Sequence, residues 1–119
     1  MKIPNSAQAL AAFVGGAGVM HFVSPAFFDA IVPKALPGRA RSWTYISGVA
    51  ELAVAAAVAN PRTRRSGAAA AVALFVAVYP ANIQAAMDAP AGAERVITWL
   101  RLPLQFPMIT WALRVRRAA

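Results

Sequence analysis

The sequence predicts an all-α integral membrane protein, a bundle of four transmembrane helices with a short interfacial helix after the first span. Of its 119 residues, 60% are hydrophobic and only 13% are charged, and the mean hydropathy is +0.55. This composition is too apolar for an ordinary soluble domain. Four apolar runs of about bilayer length are separated by polar or proline-containing segments. We therefore expect one membrane domain, 1–119, with spans at about 7–24, 42–60, 66–87 and 95–113.

The strongly basic composition does not indicate nucleic-acid binding. The net charge is +8, but the arginines lie mostly at the ends of apolar runs and are not interleaved with aromatic side chains that could stack on bases. The chain has no cysteine, which excludes disulfides, thiol redox chemistry and thiolate metal ligands. It has one histidine, and a single histidine cannot form a zinc site. We expect no metal site and no nucleic-acid partner, while composition leaves open whether the protein is an enzyme.

The first predicted span, 7–24, contains no formal charge. Small residues recur at four-residue spacing at Ala7, Ala11 and Gly15, which favours the close approach of a neighbouring helix. His21 lies near the far end of the span. A lone histidine at such a place is more often a hydrogen-bonded packing residue than a proton relay or a ligand.

The segment 25–36 is too short to cross the membrane. Ser24 and Pro25 are typical of a helix N-cap followed by proline at the first helical position. Four apolar side chains then group on one side of the segment: Phe27, Phe28, Ile31 and Val32. We expect an interfacial or partly re-entrant helix that covers one end of the bundle. An ordinary apolar loop packed on the bundle fits the same pattern.

The second predicted span, 42–60, begins with Trp43 and Tyr45, an aromatic pair typical of a membrane interface. Glu51 lies near the middle of this span. A charge at that depth costs about 2.5–3.5 kcal/mol on insertion scales, so we expect Glu51 to be either protonated or paired. A basic turn at 60–65 follows the span.

The third predicted span, 66–87, carries a ladder of small residues at four-residue spacing: Ala69, Ala73, Ala77, Ala81 and Ala85. Such a ladder favours close packing against another helix. Pro80 is expected to loosen the helix, and Asn82 lies just beyond it.

The fourth predicted span, 95–113, contains a positive charge within its most apolar stretch. Arg101 lies inside the run from Trp99 to Trp111, and Gln105 follows one helical turn later. Because these polar groups share a helix face, that face is expected to point toward protein. In the alternative interpretation, the long Arg101 side chain extends along the helix to the membrane surface.

Basic residues are unevenly distributed between the two sides of the predicted bundle. One side carries Lys2, Arg62, Arg64, Arg65, Arg114, Arg116 and Arg117. The other side carries Lys34, Arg39, Arg41 and Arg95. Since cytoplasmic segments are enriched in Lys and Arg, we expect both termini in the cytoplasm and the protein in a bacterial plasma membrane.

With this topology, polar side chains from different spans fall in the outer half or near the middle of the bundle. We predict a ligand-binding or polar intramembrane cluster of His21, Ser47, Glu51, Tyr79, Asn82, Arg101 and Gln105. Glu51 and Arg101 are expected to form its ion pair, because each is the only formal charge deep in its helix. The cluster either takes part in binding or only fixes the register of the helices.

Several short blocks extend in order along nearly the whole chain. They are His21-Phe22 with Ser24-Pro25 and Ile31-Val32-Pro33, Ser47-Gly48 with Glu51-Leu52, Pro61-Arg62-Thr63-Arg64-Arg65, Tyr79-Pro80-Ala81-Asn82-Ile83, and Trp99-Leu100-Arg101-Leu102-Pro103-Leu104-Gln105. In this combination the chain resembles the DoxX-like family of small four-helix membrane proteins. The resemblance implies a bundle of mostly unassigned function. Some members are similar to subunits associated with thiosulfate–quinone oxidoreduction, and others are linked to oxidative-stress assemblies.

Three functions fit these observations. In the first, the polar cluster of an accessory subunit binds a quinone or another lipophile beside a membrane redox or stress-related partner. In the second, the chain is a small proton-coupled transporter in which Glu51 alternately binds a proton and a cationic substrate. In the third, it is a structural subunit that docks into a larger complex or a homo-oligomer without pocket chemistry. The lipid bilayer is a partner in all three, and none requires a cofactor.

Overall fold

The computed structural model describes residues 6–119, and of Glu94 it describes only the backbone. This part of the chain contains five helices. They are α1 (Ser6–Val23), α2 (Pro25–Asp29), α3 (Ala40–Ala59), α4 (Arg64–Asp88) and α5 (Ala93–Ala118). Within residues 6–119 there is no strand, which confirms the all-α prediction. Lys2, which the predicted charge distribution includes, lies outside the described residues.

Three of these helices, α1, α3 and α4, are long enough and apolar enough to cross a membrane. This finding supports the prediction of a membrane protein. The fourth long helix, α5, has 26 residues but is not among the three. Arg101, Gln105 and the prolines Pro103 and Pro107 make its central part less apolar than the other long helices.

Two helices differ from the sequence-based expectation in extent. The helix after the first span covers only Pro25–Asp29, whereas the predicted segment was 25–36. Residues 30–39 form turns and bends, since Pro33 and Pro37 interrupt helical hydrogen bonding. At the other extreme, α5 continues beyond the expected end at 113 to Ala118. Arginine is a good helix former, and positive charges are favourable at a helix C-terminus.

The helices pack as two close pairs. α1 packs on α3 and α4 packs on α5, while α3 and α4 join the pairs and α1 touches α5 only lightly. α1 and α3 run antiparallel, because Gly15 faces Ala55 while Gly18 faces Gly48. At the start of α1, the Trp111 indole Nε1–H of α5 donates a hydrogen bond to Ser6 Oγ over 2.6 Å. The start of α1, the α3–α4 turn and the end of α5 therefore lie at one end of the bundle.

The core at that end consists of small and branched apolar side chains, among them Leu10, Val14, Val58, Ala68, Ala71 and Phe75. The predicted alanine ladder of α4 does not lie on this buried face. Ala69, Ala73 and Ala77 are exposed, and Ala81 and Ala85 are half-buried. The ladder therefore contributes less to packing within the chain than its spacing suggested, because α4 turns Ala68 and Ala71 toward α3 and α5.

At the opposite end, α2 is fastened to the start of α3. The Asp29 carboxylate accepts hydrogen bonds from Thr44 Oγ1 over 2.6 Å and from Arg41 Nε over 2.8 Å. The hydrogen bond from Thr44 is the largest influence and lowers the pKa of Asp29. Desolvation opposes it, and the hydrogen bond and positive charge of Arg41 add to the lowering, so the pKa lies below its ordinary value. In the connecting turn, Trp43 Nε1–H donates to the Pro37 carbonyl over 2.7 Å. Together these bonds hold the segment 25–39 over one end of the bundle.

Changing Gly67 to Ala is expected to destabilise the protein. The new methyl group would lie 2.7 Å from backbone atoms of Ala57 and Val58 in α3, and backbone atoms cannot rotate away as a side chain can. Overpacking of this kind costs about 1–3 kcal/mol of unfolding free energy. Thermal unfolding in a neutral detergent should show a lower Tm. Gly16→Ala is the matched control: nothing lies within 4 Å of its added Cβ, so its Tm should equal or slightly exceed that of the parent. Equal Tm values for both variants would contradict the close α3–α4 approach.

The Asp29→Asn variant should lose stability in a manner that depends on pH. Because the folded pKa of Asp29 lies below the ordinary value of 3.8, its carboxylate stabilises the fold fully above that value and loses this contribution as the pH falls through the lower folded pKa. The Tm difference between parent and variant should be constant near neutral pH and vanish in strong acid. Asp88→Asn, where the carboxylate only accepts from Gln84 over 3.2 Å, is the control and should change Tm little. A difference that persists unchanged in strong acid would mean that the ionised carboxylate is not the stabilising group.

Candidate functional site

A cavity of about 520 Å³ lies between the two helix pairs, in the half of the bundle next to α2. Its walls are mostly apolar, with aromatic and aliphatic side chains from all five helices and from the segment after α2. Seven polar side chains reach it: His21, Thr44, Ser47, Glu51, Asn82, Arg101 and Gln105. Cavities of this size and character are typical of sites for small molecules.

Two glycines bring α1 and α3 together at the wall of this cavity. A Cβ at Gly48 would lie 2.9 Å from the Cβ of His21, and a Cβ at Gly18 would lie 3.2 Å from the Cβ of Glu51. A larger residue at Gly48 would therefore clash with α1, and one at Gly18 would require its neighbours in α3 to shift by a few tenths of an ångström. The close approach places His21 Nε2 at 3.3 Å from Glu51 Oε1.

The hydrogen bonds of His21 define the proton content of this pair. Nδ1 lies 2.7 Å from the carbonyl oxygen of Ala17, which can only accept, so Nδ1 carries a proton. Nε2 then faces Glu51 either as a donor to a carboxylate or as an acceptor from a carboxylic acid. A bare Nε2 lone pair against a carboxylate is excluded in a buried site, because both would be acceptors. A second proton would leave an uncompensated imidazolium in a buried site, which is also costly. The pair therefore holds one proton between Nε2 and Oε1 and carries no net charge.

The His21–Glu51 pair is shielded from bulk solvent. His21 is 6% exposed and Glu51 is 9% exposed. The Phe28 ring of α2 stacks on the imidazole, with ring centroids 3.7 Å apart and an interplanar angle of 17°. Because α2 is held by Asp29, the adjacent residue Phe28 is fixed as a lid on the histidine.

The expected ion pair between Glu51 and Arg101 is absent among the described residues. Arg101 lines the same cavity and is half-buried, yet within residues 6–119 it makes neither an ion pair nor a hydrogen bond. The reason is the packing of α3: this helix contacts α1 closely and α5 hardly at all, so the side chain opposite Glu51 is His21. The Arg101 side chain borders the cavity instead.

The other predicted cluster residues fall into two groups. Ser47, Asn82 and Gln105 line the cavity. The amide Nε2 of Gln105 also donates to the Phe75 carbonyl over 2.9 Å, which joins α5 to α4 five residues before Pro80. Tyr79 does not line the cavity, and its ring packs edge-on against Phe106 at 5.9 Å.

The structure brings further side chains to the site that the sequence did not single out as ligand-binding. Phe28, Trp43 and Thr44 all line the cavity. Phe28 could have been predicted near the site, because it belongs to the apolar group that was expected to cover this end of the bundle. No sequence pattern pointed to Thr44, because its partner Asp29 precedes it by 15 residues across an irregular turn. Among the described residues, no group of three or more His, Asp or Glu side chains is arranged to hold a metal ion.

Comparison with known proteins identifies a family but no function. No curated protein and no solved structure matches the chain. The family described as "Domain of unknown function (DUF8561)" matches residues 10–116, which is most of the sequence. The chain therefore belongs to the DUF8561 family.

Proposed function

We propose that this chain is a membrane accessory subunit whose cavity binds a small lipophile, such as a quinone, within a redox or stress-related assembly. The observation that carries the proposal is the cavity itself, with apolar walls and polar groups converging from four helices. Apolar walls suit a hydrophobic body, while Ser47, Asn82 and Arg101 offer hydrogen-bonding groups to a polar head. The resemblance of the Tyr79–Ile83 and Trp99–Gln105 blocks to the DoxX-like family supports the redox setting.

We propose in addition that all four long helices cross the membrane. A 26-residue helix is about 39 Å long, which exceeds the apolar thickness of a bilayer. α5 packs along α4, which is itself apolar enough to span, and its outer side presents Leu100, Leu104 and Phe106, each more than half exposed. The segment 25–39 would then lie at the membrane interface.

The distribution of charge supports an orientation with both termini in the cytoplasm. The end with the α3–α4 turn and the α5 C-terminus carries Arg62, Arg64, Arg65, Arg114, Arg116 and Arg117 and no acidic residue. The opposite end mixes four basic residues with Asp29, Asp88 and Glu94. Cytoplasmic segments are the ones enriched in Lys and Arg.

Proton-coupled transport is the second candidate, and one observation favours it. Glu51 shares a proton with His21 at the wall of a cavity, which is the position that a proton-exchanging carboxylate needs. Proton flux distinguishes transport from binding alone. When a substrate gradient is applied to proteoliposomes, only a transporter would change the pH of the lumen.

Topology reporters are expected to read as cytoplasmic when inserted at Thr63 or fused after Ala119, and as external when inserted near Gly92. The physical reason is the positive-inside bias of the α3–α4 turn and the α5 C-terminus. Paired alkaline phosphatase and fluorescent protein fusions measure the two sides independently. The Gly92 and Ala119 fusions together also test α5, because both would read on the same side if that helix did not cross.

Binding of a quinone analogue is expected to depend on the open volume of the cavity. Decylubiquinone should bind the detergent-extracted protein saturably, and Ala81→Phe, which fills the cavity wall, should weaken binding by at least about tenfold, or ~1.4 kcal/mol. Quenching of tryptophan fluorescence reports binding, because Trp43 lines the cavity. Native mass spectrometry counts the bound molecules.

Ala85→Phe is the matched control for this experiment. Ala85 lies one turn further along α4 and is also half-buried, but it does not line the cavity. Its affinity should stay close to that of the parent. Equal losses in both variants, or saturable binding that neither variant weakens, would place the quinone outside the cavity.

A further inference from the structure

The ionisable groups of the cavity do not balance in charge. Among the residues that line it, only His21, Glu51 and Arg101 can ionise. The hydrogen bond from His21 Nδ1 to Ala17 leaves one shared proton between His21 and Glu51, so this pair is neutral as a unit. The Arg101 guanidinium carries one positive charge, as arginine side chains in proteins do. The cavity therefore carries one net positive charge.

No other described group neutralises this charge. Asp29 in α2, which lies outside the cavity wall, is already engaged by Thr44 and Arg41. Asp88 in α4 accepts from Gln84. None of the acidic side chains that the structure describes forms an ion pair with Arg101. An unbalanced charge in an apolar site is costly, and an ion of opposite sign removes that cost.

We propose that the cavity selects an anionic amphiphile: an apolar chain with an ionised oxygen head group, a carboxylate or a phosphate, bound by the Arg101 guanidinium. This proposal rests on the proposed function, since it names the class of lipophile that the same cavity takes. The guanidinium presents paired N–H donors that match a carboxylate or a phosphate bidentately. Asn82, which also lines the cavity, offers an amide donor, and the apolar walls receive the chain.

The test compares ligands that differ only in the charge of the head group. Dodecanoate, dodecyl phosphate and neutral methyl dodecanoate are titrated against protein purified in a neutral maltoside detergent, with Trp43 fluorescence and native mass spectrometry as readouts. Because an ion pair in a desolvated site contributes several-fold to a hundredfold or more in affinity, at least one anion should bind about tenfold or more tightly than the ester. The tighter of the two anions identifies the head group within the class.

Variants of Arg101 separate charge from fold. Arg101→Gln should reduce the preference for the anion to within about twofold, while Arg101→Lys should retain part of it because the charge remains. Arg95→Gln is the control in the same helix: Arg95 donates to the Ala89 carbonyl, does not line the cavity, and should keep the full preference. Since Arg101 has no partner among the described side chains and its charge is unbalanced, Arg101→Gln should unfold at a Tm equal to or above that of the parent.

Two results would overturn the proposal. The first is equal affinity of the parent for anions and ester. The second is a preference for anions that arises only in Glu51→Gln, because Glu51 would then be the group that neutralises Arg101. If all ligands bind equally and Ala81→Phe blocks them all, the anion proposal fails while lipophile binding stands. If neither these ligands nor decylubiquinone binds saturably, both proposals fail.

Discussion

The contact between His21 and Glu51 is the interaction on which the character of the cavity depends. A carboxyl group in the middle of an apolar helix needs a partner, because the bilayer offers no water to solvate it. The partner is an imidazole because Gly18 and Gly48, which have no side chains, let α1 and α3 approach closely at this point. Two residues without side chains thus determine which group Glu51 meets, and through it the charge of the whole cavity.

The cavity itself follows from unequal packing of the four long helices. Small residues at Gly15, Gly18, Gly48 and Gly67 draw α1 onto α3 and α3 onto α4, whereas α1 barely touches α5. The space between the pairs is closed at the far end by apolar side chains such as Leu10 and Val58. Near α2 it stays open, because polar and bulky groups there replace small ones. The Asp29 bonds keep Phe28 over this half, so the cavity's lid is held by groups outside its wall.

Much of the fold could be predicted from the sequence, because it depends on local patterns. Apolar runs bounded by charges and prolines located the long helices to within a few residues, except at the arginine-rich end of α5. Helical periodicity also placed Arg101 and Gln105 on one face, and both line the cavity. Periodicity, however, does not give the rotation of one helix against another. It could not show that Glu51 meets His21, that Tyr79 turns away toward Phe106, or that the alanine ladder of α4 is exposed.

The absence of a Glu51–Arg101 pair also changes how binding and proton chemistry relate in this cavity. If the His21–Glu51 pair lost its shared proton, it would become an anion facing the same cavity as Arg101, and the net charge there would fall to zero. A bound anion produces the same neutrality without proton loss. Proton loss from the pair and binding of an anion are thus two ways to balance the charge of Arg101. A bound anion therefore makes proton release from the His21–Glu51 pair less favourable, and dissociation of the anion makes that release more favourable. For the proposed anionic ligand, occupancy and protonation would therefore be coupled through Arg101, whether that ligand is only bound or also transported.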